Sequence, residues 1–215
     1  MTEPIRLKKE GGIVEVLLNR SEAYNAFDLD MIELLEKCLI SLAMDDSVSV
    51  LIISGEGKAF CAGGNLNWAL NFPGGLAAAF HELAARYHQA ILEILRMRKP
   101  VIAGVNGIAA GGGFSLALAC DFRVMAQSAK LRQGYTSNGL CIDGGGTFTL
   151  PRIVGLARAM EIVAFDKPIS SGQALAWGLV TKVAEDGKVL EEAWKMAVNW
   201  QNIHATPLAG ASSFL

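Results

Sequence analysis

Residues 101–119, VIAGVNGIAAGGGFSLALA, join an apolar β-branched run, a chain of small residues and an apolar helical stretch. We predict a buried strand over residues 101–105, because Lys99-Pro100 ends the preceding helix. A tight turn from Gly107 to Gly113 then leads into a helix over residues 113–119. Amides at a helix N-terminus lack intrahelical acceptors and favour negative charge. The segment therefore predicts a strand, turn and helix that can hold an anionic group.

A second turn of small residues lies upstream, in the stretch KAFCAGGNL at residues 58–66. It follows an apolar run over residues 48–53, which we also interpret as a buried strand. Small residues in such a turn let another molecule approach the backbone closely. One turn of this kind is usually only a tight connection. Two of them, each after a buried strand, favour a binding site.

The remaining segments alternate between strand and helix patterns. Further strands are predicted over residues 13–18, 122–125 and 180–183. Further helices are predicted over residues 29–42, 76–96, 156–165, 171–177 and 190–201. Strands that alternate with helices indicate βαβ-type crossovers and mostly parallel pairing, so the fold class is α/β.

Composition excludes several classes of protein. The 215 residues suit one domain, and 52% hydrophobic with 19% charged residues argues against disorder. A net charge of -2 without a basic run gives no reason to expect a nucleic-acid partner, and no apolar run is long enough for a membrane span. The four cysteines are far apart, and the first residues lack a signal-peptide pattern. We therefore expect a reduced, cytoplasmic location.

The chain resembles the crotonase (enoyl-CoA hydratase/isomerase) superfamily through motifs that occur in the family's order. These are NR at 19–20, NAF at 25–27, AFCAG at 59–63, GGG at 111–113, ACDFR at 119–123, GGGT at 144–147 and ALAWGLV at 174–180. The resemblance implies a spiral of ββα turns with a helical C-terminal part. It also implies an acyl-CoA-binding core over residues 1–201, the start of a truncated C-terminal helical region over 202–215, and assembly into homotrimers or hexamers.

The same resemblance assigns roles to residues of the two glycine turns. The backbone amides of Gly64 and Gly112 would form an oxyanion hole for the thioester oxygen of an acyl-CoA, and such a donor contributes about 3 kcal/mol in the transition state. Coenzyme A would be part of the substrate, with no separate cofactor. The residues implied in substrate contacts are Ala26, Lys58, Ala62, Asn65 and Leu66. For Lys58 the alternative is a solvated surface lysine.

The chain departs from the family where the hydratases carry two glutamates. Ser115 and Tyr135 stand at those positions, so ordinary hydration is not expected. Asp143 is the carboxylate that is left in these motifs. It could move a proton on the acyl chain, attack that chain as a nucleophile as in aromatic dehalogenases, or only cap a turn. Tyr135 could orient the substrate or donate a proton, or it could be part of the pocket wall.

Histidines do not suggest a metal site. His81 and His88 lie seven residues apart on a predicted helix, without the HExxH spacing, and are interpreted as part of a solvated or lightly packed face. The sequence thus predicts an acyl-CoA isomerase or lyase that stabilises a thioester enolate. The alternatives are a catalytically degenerate acyl-CoA-binding paralogue, or a hydratase- or dehalogenase-type lyase that uses Asp143.

Overall fold

A computed structural model of the chain, which describes residues 3–204, contains two sheets and the helices that cover them. The strands are β1 (Ile5–Glu10), β2 (Ile13–Leu18), β3 (Val50–Gly55), β4 (Ala59–Cys61), β5 (Val101–Val105), β6 (Ile108–Ala110), β7 (Phe122–Ala126), β8 (Lys130–Arg132), β9 (Ile169–Ser170) and β10 (Lys182–Ala184). The helices are α1 (Leu29–Met44), α2 (Leu66–Leu70), α3 (Gly75–Arg96), α4 (Gly112–Ala119), α5 (Gly146–Phe165), α6 (Ser171–Ala176) and α7 (Val189–His204).

The larger sheet has the strand order β1-β2-β3-β5-β7-β10. Its inner strands β2, β3, β5 and β7 pair in parallel, and every residue of β3 and β5 is buried. Apolar residues fill these two strands because both faces of a parallel sheet are covered. The antiparallel edge strand β1 was not predicted, since Ile5 is its one buried residue and the rest of the strand faces outward.

From β3 to β8, consecutive strands alternate between the two sheets. β3, β5 and β7 belong to the larger sheet, whereas the strands that follow them, β4, β6 and β8, pair in parallel in the smaller one. Each pair of strands is followed by a helix or two. The repeated unit is therefore strand, strand, helix, which confirms the predicted α/β spiral of ββα turns. From α5 onward the chain is mainly helical, as predicted.

Helix α1 begins and packs as its sequence predicts. The Asp28 side chain caps it by accepting a hydrogen bond of 3.0 Å from the amide of Met31. Its apolar stripe is fully buried, at Met31, Ile32, Leu35, Leu39 and Leu42. The helix packs against α3, which brings the start of α1 beside the glycine turns.

Several predicted boundaries differ from the structure, most of all the start of α5. Helix α5 begins at Gly146, ten residues before the predicted start at 156. Two helical segments meet at Gly155, which has a non-helical φ of 75°. The first segment was not predicted because it contains Pro151, and proline disfavours a helix interior. β3 and β10 also begin two residues later than predicted, at Val50 and Lys182.

The C-terminal helix α7 continues through residue 201 to His204, without a break at the predicted domain boundary. The rest of the predicted C-terminal region, residues 205–215, lies outside the described residues. Among the helices of the described part, none combines the length and apolarity that a membrane span requires.

Candidate active site

The two glycine turns meet at one edge of the smaller sheet. β4 and β6 pair in parallel, so the turns that follow them leave the sheet side by side. A Cβ atom placed on Gly63 would lie 3.0 Å from the amide nitrogen of Gly112 and 2.9 Å from the Ala110 carbonyl oxygen. Gly63 also has a φ of 88°. Glycine is therefore required at this position for the turns to touch.

Among the described residues, no acceptor is bonded to the amide of Gly64 or of Gly112. Phe27 accepts from Asn65 and donates to Gly63, with both bonds at 2.7 Å, and so pairs with the residues on either side of Gly64. Gly112 is the first residue of α4, where amides have no intrahelical partner. Within residues 3–204 neither amide donates a hydrogen bond to the protein. Both are available to an oxygen of a bound molecule.

Aromatic and aliphatic side chains line these amides. A Cβ atom on Gly64 would lie 3.0 Å from the ring of Phe80 and 3.4 Å from Leu83. The corresponding distance from Gly112 to the ring of Phe27 is 3.3 Å, and the rings of Phe27 and Tyr87 lie 5.3 Å apart. The glycines that carry the two amides therefore lie against apolar side chains, with Gly112 buried and Gly64 half-buried.

Next to the turns, Ser115, Tyr135 and Asp143 form a polar cluster. The Tyr135 hydroxyl donates to Oδ1 of Asp143. Ser115 Oγ donates to the backbone oxygen of Asp143 at 3.0 Å and lies 3.4 Å from the Tyr135 hydroxyl. Ser115 stands in the first turn of α4, four residues after Gly111. The structure thus brings the sequence-predicted Tyr135 and Asp143 together beside the helix that begins with Gly112.

Burial shifts the pKa of both acidic groups in the cluster. Desolvation raises the pKa of Asp143 above its ordinary value of 3.8, against the lowering effect of the Tyr135 hydrogen bond. Desolvation, followed by the neighbouring charge of Asp143, raises the pKa of Tyr135. The carboxyl group therefore holds a proton more readily than a solvated aspartate does.

Two residues of this site were missed by sequence reasoning. The Tyr87 hydroxyl donates to the backbone oxygen of Gly112, and His88 Nε2 accepts a hydrogen bond of 3.1 Å from the amide of Gly144. Tyr87 lies in the buried stripe of α3, and a buried tyrosine hydroxyl needs a partner, which was the available signal. His88 is exposed, in agreement with the predicted solvated or lightly packed face, but the hydrogen bond of its ring to the turn after Asp143 was not predicted.

The residues implied in substrate contacts fall into two groups. Ala62, Asn65 and Leu66 lie on the first glycine turn after β4, and Ala26 precedes Phe27, which pairs with Gly64. Leu66 is 61% exposed, and Asn65 caps α2 by accepting from the amide of Trp68. Lys58 lies at the opposite end of β4, exposed in a depression of about 310 Å³ that Ile108 and Lys130 also line. Their roles stay predictions. In the described ranges no group of three metal-ligating side chains is found.

Gly144 is expected to tolerate no side chain. Its φ is 57°, and an added Cβ would lie 2.5 Å from the Tyr87 ring and 2.8 Å from Ser115 Cβ. Left-handed strain and overpacking together predict that Gly144→Ala lowers the free energy of unfolding by about 2–4 kcal/mol in a urea titration. Gly139→Ala is the control, because Gly139 has a φ of 67° with open space around it. Equal losses in the two variants would show that the turn is not packed as described.

A family model, characterised proteins and solved structures that match the chain all point to one family. The chain matches the family model described as enoyl-CoA hydratase/isomerase over residues 8–212. It is 37% identical to the 1,2-epoxyphenylacetyl-CoA isomerase of Escherichia coli K12, over 92% of this chain and 76% of that protein. It is 36% identical to the crotonyl-CoA hydratase of Syntrophomonas wolfei, over 91% and 74%. The crystal structure of an enoyl-CoA hydratase from Bacillus anthracis superposes with a TM-score of 0.87 at 32% identity, over 91% of this chain and 76% of that one.

Proposed function

Because the chain belongs to the enoyl-CoA hydratase/isomerase family of the crotonase superfamily, we propose that it binds acyl-CoA thioesters and moves a proton on the acyl chain. Similar proteins are named as an isomerase and a hydratase of CoA esters. The observation that carries the proposal is the juxtaposition of one half-buried carboxyl group, Asp143, with a helix that begins at a free glycine amide. The simplest reaction for this set is the shift of a carbon–carbon double bond.

In this proposal the amides of Gly64 and Gly112 hold the thioester oxygen. When a proton leaves the acyl chain, the electron pair of the C–H bond moves toward that oxygen and forms an enolate. Two donors in a site lined by Phe27, Phe80 and Leu83 stabilise that charge without the reorganisation that water requires. This assignment is supported because neither amide has a hydrogen-bond partner within residues 3–204 that it would have to give up.

Asp143 is the proposed proton carrier. Its carboxylate takes a proton from one carbon, and the carboxylic acid returns it to another carbon of the conjugated enolate, so the double bond moves and no atom is lost. A raised pKa suits this cycle, because a carboxylate that binds a proton more tightly is a stronger base toward the acyl chain. The Tyr135 hydroxyl fixes Oδ1, which leaves Oδ2 for the substrate.

Hydration of crotonyl-CoA is predicted to be slow. Ser115 and Tyr135 stand where the resemblance places the two glutamates of hydratases, and neither can serve as a carboxylate base. General acid–base catalysis contributes about 10²- to 10⁴-fold, so the hydration rate should fall below that of a two-glutamate hydratase by a similar factor. Loss of the enoyl absorbance at matched protein concentrations measures it. A rate equal to that of a hydratase would contradict this prediction.

The same two replacements favour a second candidate, an acyl-CoA-binding protein without turnover. A panel of enoyl-CoA, dienoyl-CoA and aromatic acyl-CoA esters, followed by mass spectrometry, separates the two candidates. Product from any ester supports the enzyme, whereas binding without product supports the second candidate. A product that has gained a hydroxyl group in place of an aromatic halogen would instead identify Asp143 as a nucleophile.

Assembly is a further part of the proposal. Leu156 and Met160, one turn apart on α5, are 70% and 58% exposed. Adjacent exposed apolar side chains of this size favour contact with another subunit, which supports the predicted homotrimer or hexamer. Light scattering coupled to gel filtration gives the mass of the particle.

A further inference from the structure

Consecutive residues of α3 hold two different parts of the candidate site. The Tyr87 hydroxyl donates to the carbonyl of Gly112, the residue that begins α4. The next residue, His88, accepts from the amide of Gly144, which immediately follows Asp143. One turn of α3 is therefore hydrogen-bonded to two parts of the site. One is Gly112, whose amide is a proposed oxyanion-hole donor, and the other is the turn that carries Asp143.

The peptide unit between Asp143 and Gly144 is held at both of its ends. Its carbonyl oxygen accepts from Ser115 Oγ and from the amide of Gly146, each at 3.0 Å. Its N–H donates to His88 Nε2 at 3.1 Å. Gly144 also packs against the ring of Tyr87. Hydrogen bonds at both its carbonyl and its N–H fix the orientation of this peptide plane. That orientation sets the direction of the Cα–Cβ bond of Asp143, and hence the positions that its carboxylate can reach.

We propose that His88 is a positioning residue, which holds the Asp143–Gly144 peptide so that the Asp143 carboxyl group faces the acyl chain. This inference rests on the proposed role of Asp143. To accept from Gly144, Nε2 must carry its lone pair, so the ring proton is on Nδ1. The histidine acts through the backbone and need not touch the substrate.

His88 is exposed, so a positioning role can be distinguished experimentally from a contribution to global stability. The side chain lies on the outer part of α3 and is not among the core residues. Removing it should leave global stability nearly unchanged, because exposed substitutions without packing have small effects. Its effect should be confined to the 143–146 turn and to the chemistry that this turn supports.

The test compares His88→Ala with His88→Gln and with His81→Ala. Glutamine offers an acceptor oxygen at a similar distance from the backbone as Nε2. His81 is exposed on the same helix and makes no side-chain hydrogen bond within residues 3–204, so it is the matched control. Two quantities are measured: the hydrogen-exchange protection of the Gly144 amide, and kcat and KM for proton exchange on an active ester.

His88→Ala should lose about 3- to 10-fold in Gly144 amide protection, the value of one hydrogen bond, and a similar factor in kcat with little change in KM. His88→Gln should recover most of both losses, and His81→Ala should equal wild type. Unchanged protection in His88→Ala would overturn the inference, as would full kcat despite lost protection, or a glutamine variant as poor as alanine. If wild-type protein turns over no ester, the proposed function fails and the positioning role fails with it, whereas Gly144 protection still reports whether the hydrogen bond exists.

Discussion

Asp143→Asn is expected to reduce exchange of the acyl-chain protons with deuterated water by about 10²- to 10⁴-fold, the usual contribution of a general base. The reason is that Asp143 is the proposed proton carrier and that Ser115 and Tyr135 beside it have no carboxyl group. An asparagine oxygen can still accept from the Tyr135 hydroxyl, so the geometry of the turn should persist. The measurement is deuterium content of an active ester by mass spectrometry at several times.

The Asp143→Asn result needs evidence that folding and binding survive. Burial raises the pKa of Asp143, so the folded state binds its proton more tightly than the unfolded state does. Ionising the group therefore destabilises the wild-type fold, from about pH 3.8 upward, and this cost is fully present above the folded pKa. The neutral asparagine avoids the cost, so the variant should be at least as stable as wild type near neutral pH. Equal exchange rates in a folded, CoA-binding Asn variant would make Asp143 a turn residue.

Gly112→Pro should lower turnover by about 10²- to 10³-fold, because it deletes one proposed oxyanion-hole donor. Proline is compatible with the first position of a helix, where the amide has no intrahelical acceptor, so α4 can still form. Affinity for the CoA portion should be retained in part, since that portion does not depend on the amide. Single-turnover kinetics and calorimetric titration with a non-reactive CoA ester measure the two effects.

Gly112→Ala is the control for the proline variant. It places a Cβ at the same distance of 3.3 Å from the ring of Phe27, yet keeps the N–H group. We expect a loss of no more than about 10-fold, from the overpacking alone. If the alanine and proline variants reduce turnover equally, the added side chain and not the missing donor explains the loss. Gly112 would then not be an oxyanion-hole donor.

The sequence was sufficient for the framework that carries the glycine turns. Runs such as residues 101–105 are long enough and apolar enough to be identified as buried strands, and their order along the chain implies parallel pairing. The first half of α5 was missed because Pro151 and Gly155 give it no helical signal. Strand β1 was missed because its pairing with β2, and not its own pattern, makes it a strand.

At the site, the local motifs located Gly64, Gly112, Tyr135 and Asp143, and the structure brings the last two into direct contact. The contribution of α3 could not be foreseen. The bond between His88 and Gly144 spans 56 residues, and no spacing rule connects a helix face to a loop so far along the chain. Tertiary packing alone places the Tyr87 hydroxyl on Gly112, 25 residues away.

The most direct test of the proposed proton transfer uses the wild-type protein in deuterated water with enoyl-CoA, dienoyl-CoA and aromatic acyl-CoA esters. The proposed enolate and a proton-carrying Asp143 predict deuterium at the carbon atoms α or γ to the thioester of at least one ester, together with movement of a double bond. Mass spectrometry and proton NMR of the recovered ester report both changes. Esters that bind but are recovered without deuterium, across the whole panel, would contradict the proposal and favour a protein that only holds acyl-CoA.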